Sequence, residues 1–374
     1  MIPRIVVAID FGTTFSGAAF AYIDAPRQRE VISSWLSGGN LTTDKVLSEI
    51  CYDEKAPNGY RWGLNINPQD ERHRWFKLKL GPSQATKAPI IAEDTLSGGE
   101  IKQIDSDVDP ITCATDFLTA LRKHIMETLL TRYGGEFMEG TLIEYILTVP
   151  AVWPDKARDT TVECAKRAGM DSSYAISCVS EPEAAAIYCL FSMGHGRLRV
   201  GANYVVCDAG GGTVDLITYI VTKTAPLKVQ ESAVGDGGTC GSIYLNRRFE
   251  LFLTEKLGGR AMERLRPRIN AAVMKEFEDF IKRDFCDLPT QDEYTISVPG
   301  VRDTQWNGVQ DEVLTITRGE LREIFEPIVQ AILELVHKQL KAVEKQNGVV
   351  AAVLLVGGFG VNLSQYHHSL GDSS

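Results

Sequence analysis

The sequence predicts an α/β fold in two domains, and three observations predict it. Strand and helix signals alternate along most of the chain, the pattern of sheets flanked by helices. The length, 374 residues, allows two domains of about 150 residues or somewhat more. One pattern also occurs twice: Ile5-Val6-Val7-Ala8-Ile9-Asp10-Phe11-Gly12-Thr13-Thr14 parallels Tyr204-Val205-Val206-Cys207-Asp208-Ala209-Gly210-Gly211-Gly212-Thr213. Each is a buried strand, an Asp, a glycine turn, a Thr and then a second strand. The copies lie about 200 residues apart, so each opens its own lobe. Lobe I is expected at 1–200, with an irregular outer insertion at about 45–109, and lobe II at 203–374, with an outer part at about 242–316.

In chain order, Ile5–Ile9 and Phe15–Tyr22 read as strands joined at Gly12-Thr13-Thr14, and Val46–Tyr52 as a short strand piece. Asp109-Pro110 opens a helix, because Asp can cap and Pro suits the first turn. Phe117, Leu121, Ile125 and Leu129 give that helix one apolar face, and Gly134-Gly135 ends it. Ile143–Val149 reads as a strand closed by Pro150, and Asp155–Ala168 as a helix stopped by Gly169. Ser177–Ser180 is a short strand, and Glu183–Met193 an Ala-rich helix. The second cycle has strands at Tyr204–Cys207 and Val214–Val221, then helices near 246–256 and 268–285. A strand pair near 294–298 and 312–316 follows. Thr317-Arg318-Gly319-Glu320 is a capping box opening a long helix. Its inner face is Leu321, Ile324, Phe325, Ile328, Ile332, Leu335 and Val336. Val349–Val356 is an apolar strand before Gly357-Gly358.

Composition narrows the function classes. The chain is 44% hydrophobic and 24% charged, which excludes disordered and fibrous proteins. A net charge of −10, with no long Lys/Arg run, argues against nucleic-acid and membrane binding. No run of about 18 apolar residues would span a bilayer. The run Ile5–Ile9 is too short for a signal-peptide core, so an unexported, cytoplasmic protein is expected. The eight cysteines are scattered without a CxxC pair and read as reduced thiols. The six histidines include one adjacent pair, His367-His368, without ligand spacing, so zinc is not expected.

The repeated turns carry the chemistry. Glycine lets backbone N–H groups approach a phosphate with no Cβ in the way. Thr hydroxyls add donors, and the Asp ending each strand offers oxygen where Mg²⁺ would be held, directly or through water. Two such turns make a phosphate clamp without a P-loop, since no G-x-x-x-x-G-K-[ST] occurs. Gly235-Asp236-Gly237-Gly238-Thr239-Cys240-Gly241 comes near the dinucleotide fingerprint G-x-G-x-x-G but has Cys at its last position.

Asp10–Thr14, Asp208–Thr213 and Leu355-Val356-Gly357-Gly358 resemble the two phosphate motifs and the adenosine motif of the actin/Hsp70/sugar-kinase superfamily. Leu147-Thr148-Val149-Pro150-Ala151, Ser180-Glu181-Pro182-Glu183-Ala184-Ala185-Ala186 and Trp75-Phe76-Lys77 resemble Hsp70 segments and narrow the likeness to the Hsp70 nucleotide-binding domain. Glu183 and Gly357-Gly358-Phe359-Gly360 point to its divergent branch, typified by heat shock 70 kDa protein 12 and fungal Hsp70-like proteins. The resemblance implies a two-lobed actin-like ATPase fold of duplicated ribonuclease H-like domains, with ATP or ADP and Mg²⁺ as ligands. It implies catalytic roles for Lys77, Glu181, Asp208 and Thr213. Asp10, Asp208 and Asp215 would hold the metal through water. Gly12, Thr13, Thr14, Gly210, Gly211, Gly212 and Thr213 would hold phosphates, and Glu278, Lys282, Arg283, Gly357 and Gly358 would cradle adenosine. On the residues alone, Lys77 competes with its neighbour Lys79, and Glu278, Lys282 and Arg283 also have the spacing of an ordinary ion-pair face.

The chain departs from the family pattern at Phe359 and Val361, where the adenosine motif has serine and arginine. Its polar end, Ser364–Ser374, implies a lobe II that is C-terminally incomplete, with apolar surface uncovered near Val353–Val356 and no peptide-binding domain. The expected function is slow, Mg²⁺-dependent ATP hydrolysis in a chaperone-type ATPase whose lobes close on the nucleotide, with client proteins or co-chaperones as partners. A small-molecule kinase of the same superfamily and a non-hydrolysing ATP sensor or scaffold are the alternatives.

Overall fold

A computed structural model of the chain describes residues 2–35, 42–67, 70–81, 108–171, 174–194, 198–259, 262, 267–285, 292–304 and 307–360. Much of the expected outer insertion (82–107), Cys286, Val361, the His367-His368 pair and the polar end Ser364–Ser374 lie outside the described residues. The fold is mixed α/β, as expected, and the chain divides into two units, Met1–Ser192 and Met193–Ser374.

The first unit opens with β1 (Arg4–Asp10) and β2 (Phe15–Tyr22), followed by β3 (Glu30–Val31) and β4 (Val46–Leu47). The single strand piece expected over Val46–Tyr52 is in fact two. β4 pairs with β2, whereas β5 (Glu49–Tyr52) joins β6 (Tyr60–Trp62) and β7 (His73–Arg74) in a separate small sheet. A one-turn helix, α1 (Phe76–Lys79), follows Trp75, whose φ of 57° redirects the chain. Helix α2 (Pro110–Tyr133) is capped by the Asp109 carboxylate, which accepts from Thr112 N, and Gly134 at φ 82° ends it. A short helix, α3 (Gly135–Glu139), leads to β8 (Leu142–Val149), α4 (Asp155–Arg167), β9 (Ser177–Ser180) and α5 (Glu181–Met193). Helix α5 starts at Glu181 rather than Glu183, because Pro182 fits a first turn where no amide bond is missed.

The main sheet of this unit runs β3-β2-β1-β8-β9. β1 is antiparallel to β2 and parallel to β8, and β8 is parallel to β9. Ile5, Val7 and Ile9 share one face of β1 and are buried with Phe117, Leu118, Leu121 and Ile125 of α2. Phe11, Phe76 and Phe117 stack in this core with centroids 5.7–6.3 Å apart, so the residue after Asp10 and the residue before Lys77 are anchored by one aromatic cluster.

The second unit repeats the plan. β10 (Asn203–Ala209), β11 (Val214–Thr224) and β12 (Leu227–Gly238) form an antiparallel meander, and a later strand returns parallel to β10. Between them lie α6 (Ile243–Leu257), α7 (Pro267–Glu276), a π-helical turn (Phe277–Ile281) and α8 (Lys282–Asp284). A small antiparallel sheet of β13 (Glu293–Ser297), β14 (Val309–Gln310) and β15 (Val313–Thr317) comes next. The Thr317/Glu320 capping box is formed and opens α9 (Arg318–Glu344). The returning strand is β16 (Val350–Val356), giving the order β12-β11-β10-β16. Thus β3-β2-β1-β8 and β12-β11-β10-β16 share strand order and pairing sense, the duplication that the two matching strand-turn segments signal.

The core of the second unit surrounds β10, most of whose residues are buried. Gln339 of α9 is buried too, and ties the helix to the sheet: it accepts from Thr218 Oγ1 at 2.8 Å and donates to Val234 O at 2.8 Å. Arg248 of α6 donates to the Ile324 and Glu323 carbonyls of α9 at 2.9 and 3.0 Å. Along β16, Ala351, Val353 and Leu355 alternate outward and are exposed.

Candidate functional site

In the first unit the turn Phe11–Thr14 joins β1 to β2. Gly12 is obligatory there, since a Cβ would stand 2.1 Å from Phe15 O. Ser48 accounts for two turn carbonyls: its Oγ donates to Gly12 O and its N–H to Thr14 O, both at 2.9 Å. By contrast, no backbone carbonyl among the described residues accepts from the N–H groups of Gly12, Thr13 and Thr14. Three successive amides of this kind suit an anion.

Two lysines meet two carboxylates beside this turn. Lys77 Nζ is 2.5 Å from Glu181 Oε1. It is 2% exposed and rests against the rings of Phe11 and Trp153, 5.5 and 5.4 Å from their centroids. Lys79 is exposed, so of the two lysines Lys77 is the one the fold turns inward. Lys45 Nζ lies 2.6 Å from Asp10 Oδ2, and Thr148 Oγ1 donates to Asp10 Oδ1 at 3.0 Å. Burial works against ionisation of Asp10, but the Lys45 ammonium, aided by Lys77 and Thr148, holds it below the usual carboxylate range. Burial pushes the Glu181 carboxyl up; Lys77 opposes this and Asp10 reinforces it.

The Glu181 shift gives a pH dependence. A carboxyl raised in the folded state binds its proton more tightly there, so stability falls as pH rises from its ordinary 4.5 through the raised value. Glu181→Gln removes that dependence. The lead of the wild type over this variant in thermal midpoint is expected to shrink between pH 4.5 and neutrality. A constant lead would mean that Lys77 cancels the effect of burial.

In the second unit β10 ends with Asp208-Ala209, and Asp208 stands directly opposite Asp215 in the β10–β11 register. The two carboxylates therefore leave the sheet on one face. Gly210 N donates to Thr213 O at 3.0 Å, closing the turn. Its carbonyls are taken by the chain entering α6: Gly241 N to Gly212 O at 3.3 Å, Ser242 N to Gly210 O at 3.1 Å and Ile243 N to Gly211 O at 2.9 Å. This approach demands glycine at 241, where a Cβ would lie 2.4 Å from Gly211 O. Again no backbone carbonyl among the described residues accepts from the N–H groups of Gly211, Gly212 and Thr213. The near-fingerprint Gly235–Gly241 is not a free loop: Gly237 and Gly238 pair with Asp215 and Val214 in the ladder.

Gly357 follows β16 with φ 83°, and a Cβ there would lie 2.3 Å from Ala209 O and 2.5 Å from Asp208 Oδ1. Phe359 N then donates to Ala209 O at 3.0 Å, and Phe359 is buried. Gly358 is open on its Cβ side. Cys207 and Cys240 nearby are buried, and burial pushes both thiols up to about 12, so neither is a nucleophile at neutral pH.

Glu278, Lys282 and Arg283 do not form one exposed face. The π-helical turn at Phe277–Ile281 contains Glu278 and shifts the register ahead of Lys282 and Arg283. Lys282 is buried and donates to Asn246 Oδ1 at 2.9 Å and Glu278 Oε1 at 3.3 Å, while Arg283 is exposed. Burial holds the Lys282 ammonium below its ordinary value.

Among the described residues, no cluster of three or more His, Cys, Asp or Glu side chains is arranged to hold a metal ion directly. The facing pair Asp208 and Asp215 suits a hard cation held partly through water. Asp10 carries an ammonium instead. Residue patterns gave no warning of Lys45, Ser48, Trp153 or Asn246. Thr148 was within reach, since it stands in the segment 147–151 that ends β8 beside Asp10.

A family model described as Hsp70 protein matches residues 100–360. Heat shock 70 kDa protein 12A of Mus musculus is 22% identical over 438 aligned residues, which cover 95% of this chain and 63% of the relative. Heat shock 70 kDa protein 12B of Homo sapiens is 22% identical over 449, covering 95% and 62%. The chaperone protein HscA of Proteus mirabilis is 30% identical over 252, covering 67% of this chain and 35% of the relative. The chain thus spans about 63% of the length of the 12A relative. The first turn and Lys77 precede the span matched by the family model, but the 12A and 12B alignments run over 95% of the chain.

Proposed function

The chain belongs to the Hsp70 family, and from that premise we propose that it binds ATP through its two glycine turns and hydrolyses it slowly. One observation carries the reading. In each unit a central strand ends in Asp and runs into a turn that offers three amides without a backbone acceptor, while its carbonyls are engaged elsewhere. Gly12, Thr13, Thr14, Gly210, Gly211, Gly212 and Thr213 hold phosphate oxygens by backbone N–H and hydroxyl donors. Asp208 and Asp215 would hold Mg²⁺, which would supply positive charge against that of the phosphates.

Lys77 donates to the γ-phosphate and orients the attacking water; Glu181 keeps its ammonium in place, and Asp208 accepts from that water. Gly357 and Gly358 pass beside the nucleoside, with Arg283 the exposed cation of the adenosine helix and Lys282 a support for it. The output is a movement of the two units on hydrolysis, in a cytoplasmic protein that acts on clients with co-chaperones.

Single-turnover measurement with γ-labelled ATP tests this. The label is expected as free phosphate; transfer to an acceptor, or ATP left intact, would overturn hydrolysis. Asp208→Ala is expected to weaken Mg²⁺-ATP binding about tenfold, the loss of one charged contact, and unchanged affinity would remove Asp208 from the site.

A further inference from the structure

Asp10 and Asp208 end equivalent strands but face different neighbours. Opposite Asp208 stands Asp215; opposite Asp10 stands Gly17, which has no side chain. A Cβ on Gly17 would lie 3.2 Å from Asp44 O, 3.3 Å from Lys45 Cγ and 3.9 Å from Lys45 Cε. The aliphatic stem of Lys45 therefore runs across Gly17 and brings Nζ to Asp10 Oδ2 at 2.6 Å. The stem is held at its base. Thr43 Oγ1 donates to Lys45 O at 3.2 Å, and the next residue, Val46, pairs with Ser16 of β2. The ion pair itself is half open to solvent, with side chains 49% and 40% exposed.

We propose that Lys45 is a resident counter-cation of the phosphate site: it neutralises Asp10 when the site is empty and passes its ammonium to a phosphate oxygen of an arriving nucleoside polyphosphate. The metal is then left to Asp208 and Asp215, and Asp10 serves as the resting place of Lys45. This rests on the ATP-binding reading above. The Lys45 side chain is 49% exposed, so its ammonium has room to swing from Asp10 toward an arriving anion. A phosphate oxygen offers it a strong charge-assisted hydrogen bond in return. The consequence is an ATP affinity that depends less on a divalent cation than it would without the Lys45 ammonium.

The test is ATP affinity by calorimetry, in Mg²⁺ and in EDTA, for the wild type, Lys45→Met, Lys45→Arg and Gly17→Ala. EDTA is expected to weaken ATP binding to Lys45→Met at least tenfold more than to the wild type, the size of one charged hydrogen bond. Lys45→Arg restores the wild-type ratio. Gly17→Ala, whose methyl pushes the stem by only a few tenths of an ångström, falls between the wild type and Lys45→Met. Thermal midpoints of the Lys45 variants stay within a few degrees of the wild type, since a surface pair contributes little. Equal EDTA penalties in the wild type and Lys45→Met overturn the counter-cation role while leaving ATP binding standing. Failure of the wild type to bind ATP even with Mg²⁺ overturns the nucleotide reading, and this one with it.

Discussion

Lys77→Met is expected to slow ATP hydrolysis by two to three orders of magnitude, the usual cost of removing one positioned donor from a developing negative charge. ATP affinity should change far less, because the turn amides remain. The same substitution also tests a structural role, since Lys77 is buried against Glu181, Phe11 and Trp153. Breaking a buried pair from one side costs about 3–5 kcal/mol when a charge is stranded. Here the stranded group is a carboxyl that burial already pushes up, so it takes a proton and the cost falls toward the lower figure. Combining Lys77→Met with Glu181→Leu removes both charges and is expected to recover most of the stability but none of the turnover. Phosphate release and urea unfolding, measured on both variants, separate the two roles. Recovery of turnover in the double variant would make Lys77 a packing residue alone.

Gly357→Ala is expected to be the most damaging single-methyl change in the second unit. The left-handed backbone at φ 83° costs an L-residue about 1–2 kcal/mol. The added methyl would also overlap Ala209 O and Asp208 Oδ1, at 2.3 and 2.5 Å. Neither neighbour is the end of a long flexible chain, so relief requires moving the end of β16 or turning the Asp208 carboxylate away. A loss of roughly 3 kcal/mol or more follows, together with a fall in Mg²⁺-ATP affinity of about a hundredfold. Gly358→Ala, one residue on, meets nothing within 4 Å and should leave stability within about 0.5 kcal/mol. Equal effects at the two positions would show that the strand end yields readily. Unfolding midpoints and equilibrium ATP titration provide both readings.

Elements with strong local signals were legible in the sequence. The Asp109-Pro110 cap and the Thr317/Glu320 capping box satisfy orphan amides locally, and the 4-residue apolar spacing of α2 marks the face that packs on β1. The two Asp-turn hairpins announced themselves by repetition. β12 did not, because Lys228, Gln230 and Glu231 interrupt its apolar residues, and the strand forms through its long register with β11. Val46–Tyr52 read as one piece because nothing local marks where its two halves part company for different sheets. The π-helical turn arises from packing, with Phe277 stacked on Phe249 at 3.9 Å between centroids, and no spacing rule marks it. Lys45 stayed hidden for a related reason. Its meaning comes from Gly17, whose missing side chain matters only once β1 and β2 are paired.

The tethering of Gly210, Gly211 and Gly212 to the start of α6 has a mechanical result. Because all three carbonyls are bonded to residues 241–243 at the start of that helix, any shift of the loop on ligand binding is expected to pivot α6 with it. Arg248, two turns further on, grips the carbonyls of Glu323 and Ile324, so the pivot drags on α9 as well. A displacement too small to see at the glycines therefore has a stiff lever, two helices long, through which it can be felt at a distance.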